Sequence, residues 1–445
     1  MKLFICVLSL LLEVIGFQYI YSDYIALYTI FLFINTVIVL RSLSKGLRDN
    51  LIYVYTFTGW MLYNALGFIH YELVNTQHQR LAEIYILFIL STILIYIPIH
   101  IFSKKTFCQK PKNLYINPSL RLIILLLTIS VALSYYKIIL AGGWYNYINA
   151  SYGLKVESGL MTFFHLFEGI FSTIIPFTYP ILFRKNPLKW KIYISICLFL
   201  LLFIQVASGA SASVVSFFMP LFIFAYFQTS NRRIKAIYKK SLIVFVSVAV
   251  VLGMLIRVNR KDNVSFKVPE ISEMTEEIME SRTFDNIVNL EEILTRLQPT
   301  YTMDQFIYPF VNMLPRAVFP WKPVELGSIV GVKFIGTSEE ARVGFLTSPL
   351  GDFYYDMGYV GIVAGMLYIG FFIVFARNLI NRYMASRNLY ALVLMIAISM
   401  QLGGLNAWYT GCFMRIVRII IFVFLLIFLQ RFFGRNKKTY HINEK

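Results

Sequence analysis

The amino-acid sequence predicts an all-α polytopic membrane protein with about twelve transmembrane helices. Of its 445 residues, 58% are hydrophobic and only 14% are charged, whereas soluble proteins are about a quarter charged. Long apolar runs recur along the chain, and most of the 41 Lys and Arg residues lie between them. These observations exclude an ordinary soluble globular protein.

The apolar runs are long enough, or nearly long enough, to cross a lipid bilayer as helices. A helix needs about 20 apolar residues to cross about 30 Å of hydrocarbon, because lipid cannot satisfy exposed backbone groups. The first run contains Glu13 and leads directly into the second, so we expect a retained helix and not a cleaved signal. The expected spans lie near residues 3–20, 22–40, 51–73, 81–102, 120–141, 160–183, 192–208, 213–228, 241–256, 357–376, 389–403 and 412–430.

Basic residues indicate the orientation, since Lys and Arg in short loops are retained on the cytoplasmic side. Alternate loops and both termini hold 26 of the 41 basic residues. Both termini are therefore expected in the cytoplasm. The chain divides into residues 1–256 with spans one to nine, an outer loop at 257–356, spans ten to twelve at 357–430, and a basic cytoplasmic tail at 431–445.

The large outer loop, residues 257–356, contains 15 of the 23 acidic side chains. A loop of this length usually carries function. Within residues 270–297, apolar side chains recur at helical spacing, which predicts one or two amphipathic helices resting on the bundle or the lipid interface. These are Met274, Ile278, Val288, Leu290, Ile293, Leu294 and Leu297. The Pro- and Gly-rich stretch that follows, 299–361, is interpreted as folded irregular structure.

The sequence lacks the common motifs of nucleotide-binding, metal-dependent and serine-nucleophile enzymes. The chain lacks GxxxxGK[ST], HExxH, GxSxG and GxGxxG, and its four cysteines lie singly, so no nucleotide, cofactor or metal is predicted. The dispersed cations also argue against nucleic acid. An enzyme acting on the outer face has no ATP, so its substrate is expected to arrive activated, as a lipid-linked phosphate or diphosphate.

Cations around the outer loop are the candidates for holding such a diphosphate. Arg257 and Arg260 follow the ninth span, and Arg316, Lys322 and Arg342 lie further along the loop. Arginine suits phosphate because its planar guanidinium donates two parallel hydrogen bonds and stays charged. Anchoring of a helix end is an equally open interpretation for Arg257 and Arg260.

Arg415 and Arg418 lie in the first half of the last apolar span. An unsatisfied guanidinium there costs at least about 2.5 kcal/mol, so something must compensate it. The two residues are three apart and share a helical face. They are predicted to point into a cavity that faces the diphosphate, with snorkelling to the interface as the alternative, which suits Arg415 better than Arg418.

Other polar or small residues in the spans have structural interpretations. Glu13 is expected to pair with a neighbouring helix. Gly358, Gly361 and Gly365 form a small-residue series at the start of the tenth span, which is typical of close helix packing. The outer aromatic residues are expected first to form an interfacial belt, and Tyr355 among them is a candidate for stacking on sugar.

Two blocks of sequence carry a family resemblance. Residues 314–323 read LPRAVFPWKP and are followed by Glu325 and Gly327, and residues 348–365 read SPLGDFYYDMGYVGIVAG. The chain resembles the O-antigen polymerases, the Wzy family, over about 50 residues closely and over most of its length in its plan of spans. The resemblance implies a fold like that of integral-membrane glycosyltransferases of the GT-C type.

Individual residues are assigned by their match to the family pattern, with Arg342 assigned by position alone. Related polymerases often have a basic residue at the turn between spans seven and eight, where this chain has SGASAS at 208–213. That basic residue is missing, so another must supply the charge if it is needed. The matched residues are Arg316, Lys322, Gly351, Asp352, Tyr355, Asp356, Gly358 and Arg418.

The resemblance implies a polymerase in the bacterial inner membrane that acts on undecaprenyl-diphosphate-linked oligosaccharides at the periplasmic face. A sugar hydroxyl would attack the anomeric carbon while the diphosphate leaves. Arg and Lys would stabilise the leaving group, and Asp352 or Asp356 would accept the proton. Helix capping is the alternative for Asp356. The implied partners are membrane lipids and a chain-length regulator protein.

Three other functions remain open. A ligase that transfers finished glycan to lipid A core would share the spans and the outer loop. A flippase or another transporter of lipid-linked sugars would use a charged central cavity without a loop of about 100 residues. A non-catalytic assembly partner is the third, although chain-length regulators have two spans and a large coiled-coil body.

Overall fold

A computed structural model describes most of the chain, and within the described residues the regular structure is helical with no strand. The amphipathic loop region before 284 and the expected ninth span lie largely outside this part. The described residues are 1–74, 79–102, 118–140, 142–144, 167, 169–183, 186–207, 211–238, 240, 241, 244, 284–312, 314, 319–335, 346–384, 389–405 and 409–433.

Most of the helices follow apolar runs of the sequence. The stretch 299–361 was predicted to be irregular, and this is wrong in part, because helices cover 304–311 and 326–335 and another begins at 349. They are α1 (Lys2–Tyr19), α2 (Ile25–Ser44), α3 (Leu47–Val74), α4 (Leu81–Phe102), α5 (Leu120–Leu140), α6 (Ile175–Phe183), α7 (Leu188–Ala207), α8 (Ser211–Gln228), α9 (Asn286–Arg296), α10 (Asp304–Val311), α11 (Leu326–Ile335), α12 (Pro349–Met384), α13 (Leu389–Gly403) and α14 (Tyr409–Phe433).

Six described helices are long and apolar enough to cross a membrane. They cover Lys2–Tyr19, Ile25–Ser44, Leu81–Phe102, Leu120–Leu140, Pro349–Leu379 and Tyr409–Gln430. Shorter apolar helices include Gly169–Phe183, Phe217–Gln228 and Leu392–Gly403. The described part of the protein is therefore all-helical and has several helices that fit a polytopic membrane protein, as the sequence predicts.

The N-terminal helices pack through aromatic side chains. The ring of Phe68 contacts those of Phe31 and Phe88, with centroids 5.9 and 5.4 Å away. Two side-chain hydrogen bonds also link these helices, since apolar surroundings favour paired polar groups. The Trp60 indole donates to Thr92 at 3.0 Å. Thr29 on α2 donates its hydroxyl to Glu13 at 2.6 Å, which confirms that Glu13 pairs with a neighbouring helix.

Helix α9 is the amphipathic helix predicted within residues 270–297, and this prediction is confirmed for its second half. Ile287, Leu290, Ile293 and Leu294 are buried against the bundle, while Thr295 and Arg296 are exposed. Burial of four aliphatic side chains stabilises the docked helix by several kcal/mol, since each contributes about 1.5–3 kcal/mol. Met274 and Ile278 lie outside the described residues.

Polar contacts tie α9 to the ends of α3 and α4. The Asn286 amide donates to Asn64 at 3.2 Å, and the Tyr71 hydroxyl donates to Glu291 at 2.6 Å. Arg80, just before α4, donates its backbone N–H to Glu291 at 3.2 Å and its guanidinium to the Leu294 carbonyl. The loop helix therefore packs on the side of the bundle where α3 passes into α4.

Helix α12 reverses direction inside the predicted entry to the tenth span. The sequence placed the start of that span near 357, but helix begins at Pro349 and breaks at Met357 and Gly358, where Gly358 has φ +64°. Beyond the break the chain folds back beside Phe353. A β-carbon on Gly361 would lie 2.0 Å from the Phe353 carbonyl oxygen, and one on Gly365 would lie 2.1 Å from its ring.

This reversal explains the glycine series. A positive φ costs most residues free energy but not glycine, and the two glycines after the break leave room for Phe353. The predicted role of these glycines in close packing is confirmed, although the partner is the preceding turn of the same helix. The segment 349–356 thus lies beside the following membrane span.

Candidate functional site

The candidate site is built around the short loop helix α10. Its first backbone amides have no intrahelical acceptors, as at every helix N-terminus. Both oxygens of Asp356 fill this role. The Gln305 N–H lies 3.1 Å from Oδ1 and 2.9 Å from Oδ2, and the Phe306 N–H donates to Oδ2 at 3.2 Å. Asp356 is fully buried and so caps a helix 50 residues away in sequence.

The opposite end of α10 is bound by Lys322. Its ammonium donates to the carbonyl oxygen of Asn312 at 2.5 Å and to that of Leu314 at 3.3 Å. Carbonyls at a helix C-terminus lack intrahelical donors and favour a nearby cation. Lys322 therefore holds the end of the helix and the residues that follow it.

The segment between α9 and α10 binds the reversal in α12. The Thr300 N–H donates to the Tyr355 carbonyl oxygen at 2.8 Å, and the Thr302 N–H donates to that of Asp356 at 3.1 Å. These bonds satisfy the last carbonyls of the segment 349–356. Tyr355 itself is half-buried, and its backbone has this structural role, whereas stacking of its ring on sugar stays a prediction.

Asp352 lies on α12, four residues before Asp356, and is 2% exposed. The Thr347 hydroxyl donates to its Oδ1 at 2.7 Å. The adjacent Gly351 N–H donates to the Ser348 hydroxyl at 3.3 Å, so polar residues of the SP-x-GD sequence cap the start of α12. Such burial leaves little access for a sugar hydroxyl unless the site opens.

Glu325 joins the loop to the last helix, and sequence reasoning gave it no role. The Thr410 hydroxyl donates to Oε1 at 2.9 Å, and the Tyr308 hydroxyl lies 3.4 Å from Oε2. The side chain is only partly buried, unlike those of Asp352 and Asp356. Its position between the two matched sequence blocks is the one signal that pointed to it.

Gln305 fixes the position of Glu325. Its side-chain amide donates to the Val324 carbonyl at 3.1 Å and accepts the Leu326 N–H at 3.2 Å. Gln305 is fully buried, so both halves of its amide are used where water is excluded. The backbone on either side of Glu325 is thereby attached to α10.

Helix α14 presents one face to these loop elements. Thr410, Met414 and Arg418 are four residues apart and lie along the same face. Thr410 binds Glu325, and the Asn312 amide approaches the Met414 sulfur at 3.0 Å. Arg418 is the next residue inward on this face.

Arg418 is half-buried and packs over a glycine of the stretch 169–183. A β-carbon built on Gly169 would lie 2.9 Å from Arg418 Nη1 and 3.2 Å from Cζ. The absence of a side chain at Gly169 therefore makes room for the guanidinium. Arg415 differs, since it is exposed and donates to the Gln401 side chain at 3.3 Å.

The structure thus brings together some of the predicted residues. Lys322 and Asp356 bind the two ends of α10, and Asp352 lies one helical turn before Asp356. Helix α10 contacts the face of α14 that carries Arg418. Arg415 contacts Gln401 beside this site. Four predicted cations lie outside the described residues: Arg257, Arg260, Arg316 and Arg342.

For Asp356, the observed contacts favour helix capping over proton transfer, because both carboxylate oxygens already accept backbone amides. Within the described part of the chain, no group of three or more His, Cys, Asp or Glu side chains could hold a metal ion. The carboxylates at α10 instead bind hydroxyl and amide donors from the protein itself.

Comparison with known proteins adds no relative. No protein-family model matches the chain, and neither a curated protein nor a solved structure matches it.

Proposed function

We propose that the chain is an O-antigen polymerase of the Wzy type, a membrane glycosyltransferase that joins undecaprenyl-diphosphate-linked oligosaccharide units. One observation carries the proposal. Two blocks of sequence that resemble this family, 314–323 and 348–365, supply Lys322 and Asp356, which bind the two ends of α10. Residues that are far apart in the chain but belong to one family pattern therefore meet in one folded unit.

The second support is the contact between this unit and α14. Glu325 binds Thr410, and Asn312 contacts Met414, on the face that continues to Arg418. Arg316 follows Asn312 by only four residues, and an extended chain of that length covers at most about 14 Å. The proposal assigns Arg316 and Arg418 to the same diphosphate, approached from the loop and from the last span.

The proposed reaction is a displacement at the anomeric carbon of the growing glycan. The non-reducing sugar hydroxyl of the next lipid-linked unit forms the new bond, and undecaprenyl diphosphate leaves with the bonding electrons. Guanidinium groups stabilise the charge that develops on the leaving diphosphate. Lys322 contributes by holding the loop, and Arg257, Arg260, Arg342 and Arg415 are proposed to bind substrate phosphate.

A carboxylate accepts the proton of the attacking hydroxyl in this mechanism. Among Asp352, Asp356 and Glu325, only Glu325 is partly exposed, while Asp356 is occupied by two backbone amides. We therefore assign the proton to Glu325 and assign positioning of the site to the two aspartates.

The finer topology also belongs to the proposal: twelve spans, both termini in the cytoplasm, and a periplasmic loop at 257–356 of an inner-membrane protein. Contacts between distant segments support one shared face. Arg80, between the third and fourth spans, binds α9 and contacts Tyr359 just after the reversal of α12, with Nη2 3.3 Å from the hydroxyl. In the predicted topology all three segments lie on the outer side.

The decisive experiment uses purified protein in liposomes with a lipid-linked repeat unit as the sole substrate, and it separates products by size. A ladder of glycans supports the polymerase. Product that appears only when lipid A core is added identifies a ligase, and movement of the substrate between leaflets without new glycosidic bonds identifies a flippase.

Variants test the residues of the site in the same assay. Arg418→Ala and Glu325→Gln are expected to abolish the ladder while the protein still folds in membranes. Arg296→Ala is the matched control, because Arg296 is an exposed loop arginine to which the proposal gives no role. Its guanidinium pairs with Glu292 at 2.8 Å and lies over the ring of Phe334. Full-length glycan from the Arg418→Ala variant would refute the diphosphate role.

A further inference from the structure

Helix α10 has an apolar face that is partly exposed in the described part of the protein. Met303, Ile307 and Phe310 follow helical spacing and are 56, 43 and 42% exposed. The opposite face is buried through Gln305, Tyr308 and Val311. Soluble proteins rarely expose a continuous apolar strip of this kind, and such strips mark contact with lipid or another protein.

The depth of α10 in the membrane follows from its neighbours. Its C-terminal Asn312 contacts Met414, four residues beyond Thr410 and therefore about 6 Å further along α14. The candidate span of α14 begins at Tyr409. This end of α10 thus lies below the end of the span and not above it.

The other end of α10 also packs against a membrane-spanning helix. The ring of Phe306 is 5.8 Å from that of Tyr368, which follows the reversal at Gly358 by ten residues, or about 15 Å of helix. The same ring is 4.5 Å from Phe353. Both ends of α10 therefore pack beside membrane-spanning helices, within reach of the bilayer's interfacial zone.

The amino-acid composition of α10 and of the residues near its end suits the interfacial zone of a bilayer. Asp304 is the only charged residue of the helix, and it lies in the first turn. Trp321, beside the Lys322 that binds the far end of the helix, is 63% exposed. Tryptophan is enriched where bilayer hydrocarbon meets water, because its ring is apolar and its N–H is polar.

We propose that α10 is an interfacial helix whose exposed face, Met303, Ile307 and Phe310, contacts the hydrocarbon chains of the adjacent lipid leaflet. This anchors the loop to the bilayer at the site and is independent of the proposed sugar chemistry. The free energy comes from removing the apolar strip from water, together with the interfacial preference of Trp321.

Fluorescence quenching tests this contact. Single cysteines are introduced as Ile307→Cys and, for the control, Thr295→Cys, in a variant whose native Cys6, Cys108, Cys197 and Cys412 are replaced by alanine. Thr295 is exposed on the polar side of α9. Each is labelled with an environment-sensitive fluorophore in nanodiscs made with or without brominated phosphatidylcholine.

Bromine in the acyl chains is expected to quench the label at 307 several-fold more than the label at 295, and aqueous iodide is expected to show the reverse order. Equal quenching of both labels by iodide would overturn the proposal. Protection of the label at 307 from both quenchers would also overturn it, since a second copy or another protein would then cover the face.

A second measurement needs no cysteine removal. The photoreactive residue p-benzoylphenylalanine at position 310, in otherwise unchanged protein in phospholipid nanodiscs, is expected to form a phospholipid adduct detected by mass spectrometry. Cross-linking to a second copy of the chain in place of lipid would refute the lipid contact.

Discussion

Asp356 and Lys322 bind opposite ends of the same eight-residue helix, α10. Asp356 accepts the first amides, and Lys322 donates to the carbonyl oxygens of Asn312 and Leu314. An anion at the N-terminus and a cation at the C-terminus each complement the helix dipole. Both residues belong to the sequence blocks that resemble the polymerase family, and both have a structural role here. A separate prediction follows for each residue.

The first prediction concerns Asp356→Ala. The variant leaves the amides of Gln305 and Phe306 without their acceptor, which is expected to lower the free energy of unfolding by about 1–3 kcal/mol. Hydrogen exchange of these amides, followed by mass spectrometry, should become much faster. Asp304→Ala is the control, since it removes a neighbouring carboxylate but leaves the cap. Unchanged exchange in Asp356→Ala would contradict the capping role.

Asp356→Asn separates capping from proton transfer. Asparagine retains one oxygen that can accept an amide but cannot act as a general base, so a capping residue should tolerate the change better than alanine. We expect Asp356→Asn to retain part of the polymer-forming activity in the liposome assay. Complete loss of product with unchanged exchange at α10 would instead assign Asp356 to catalysis.

The second prediction concerns Lys322→Met, which removes the donor for two carbonyl oxygens but retains an apolar side chain of similar length. Limited proteolysis between residues 312 and 322 should become faster, because the end of α10 is no longer held. Lys322→Arg should restore most of the resistance, since arginine also donates. Lys333→Met is the matched control on the exposed side of α11, and equal sensitivity in both variants would refute the assignment.

The third prediction concerns the space that Gly169 leaves for Arg418. A β-carbon at 169 would lie 2.9 Å from Nη1, so Gly169→Ala is expected to displace the guanidinium. Glycan synthesis should then fall nearly as far as in Arg418→Ala, and the double variant should be no worse than Arg418→Ala alone. At Gly404 the nearest atom would be 3.5 Å away, so Gly404→Ala is the control. Additive losses would show that Gly169 acts elsewhere.

The fourth prediction concerns the reversal in α12. Gly361→Ala and Gly365→Ala each place a methyl group against Phe353, and each is expected to destabilise the protein by about 1–3 kcal/mol. Thermal unfolding followed by tryptophan fluorescence measures this loss.

Adding Phe353→Ala distinguishes the two glycines. It should relieve most of the penalty at 365, where the collision involves the ring, but not at 361, where it involves the backbone carbonyl oxygen. Relief at both positions, or at neither, would mean that the two halves of α12 do not pack as described.

Much of the fold was accessible from the sequence, because span length and apolar content are local properties. The runs predicted at 81–102 and 389–403 are the observed bounds of α4 and α13. The amphipathic pattern of Leu290, Ile293 and Leu294 likewise predicted α9, since burial of one helical face imposes that spacing. The break at Gly358 was less visible, because a glycine in an apolar helix is compatible with a straight span.

The candidate site was accessible only in part. Its place in an apolar span identified Arg418 as unusual, since a charge there needs a partner. Lys322 was identified as a loop cation, and Asp352 was identified only by the family resemblance. The sequence did not identify the residues that these side chains contact. Lys322 binds Asn312, Asp352 binds Thr347, and Arg418 packs beside Gly169. Glu325 received no role because its partner Thr410 lies 85 residues away.

The sequence alone determined that the chain is a helical, polytopic membrane protein, because hydrocarbon admits only runs of apolar residues with internally bonded backbone. Tertiary structure alone decided what the charged side chains do. Whether a carboxylate such as Asp356 meets a substrate or a helix end depends on which distant backbone amides approach it, and that approach is fixed by packing across the whole fold.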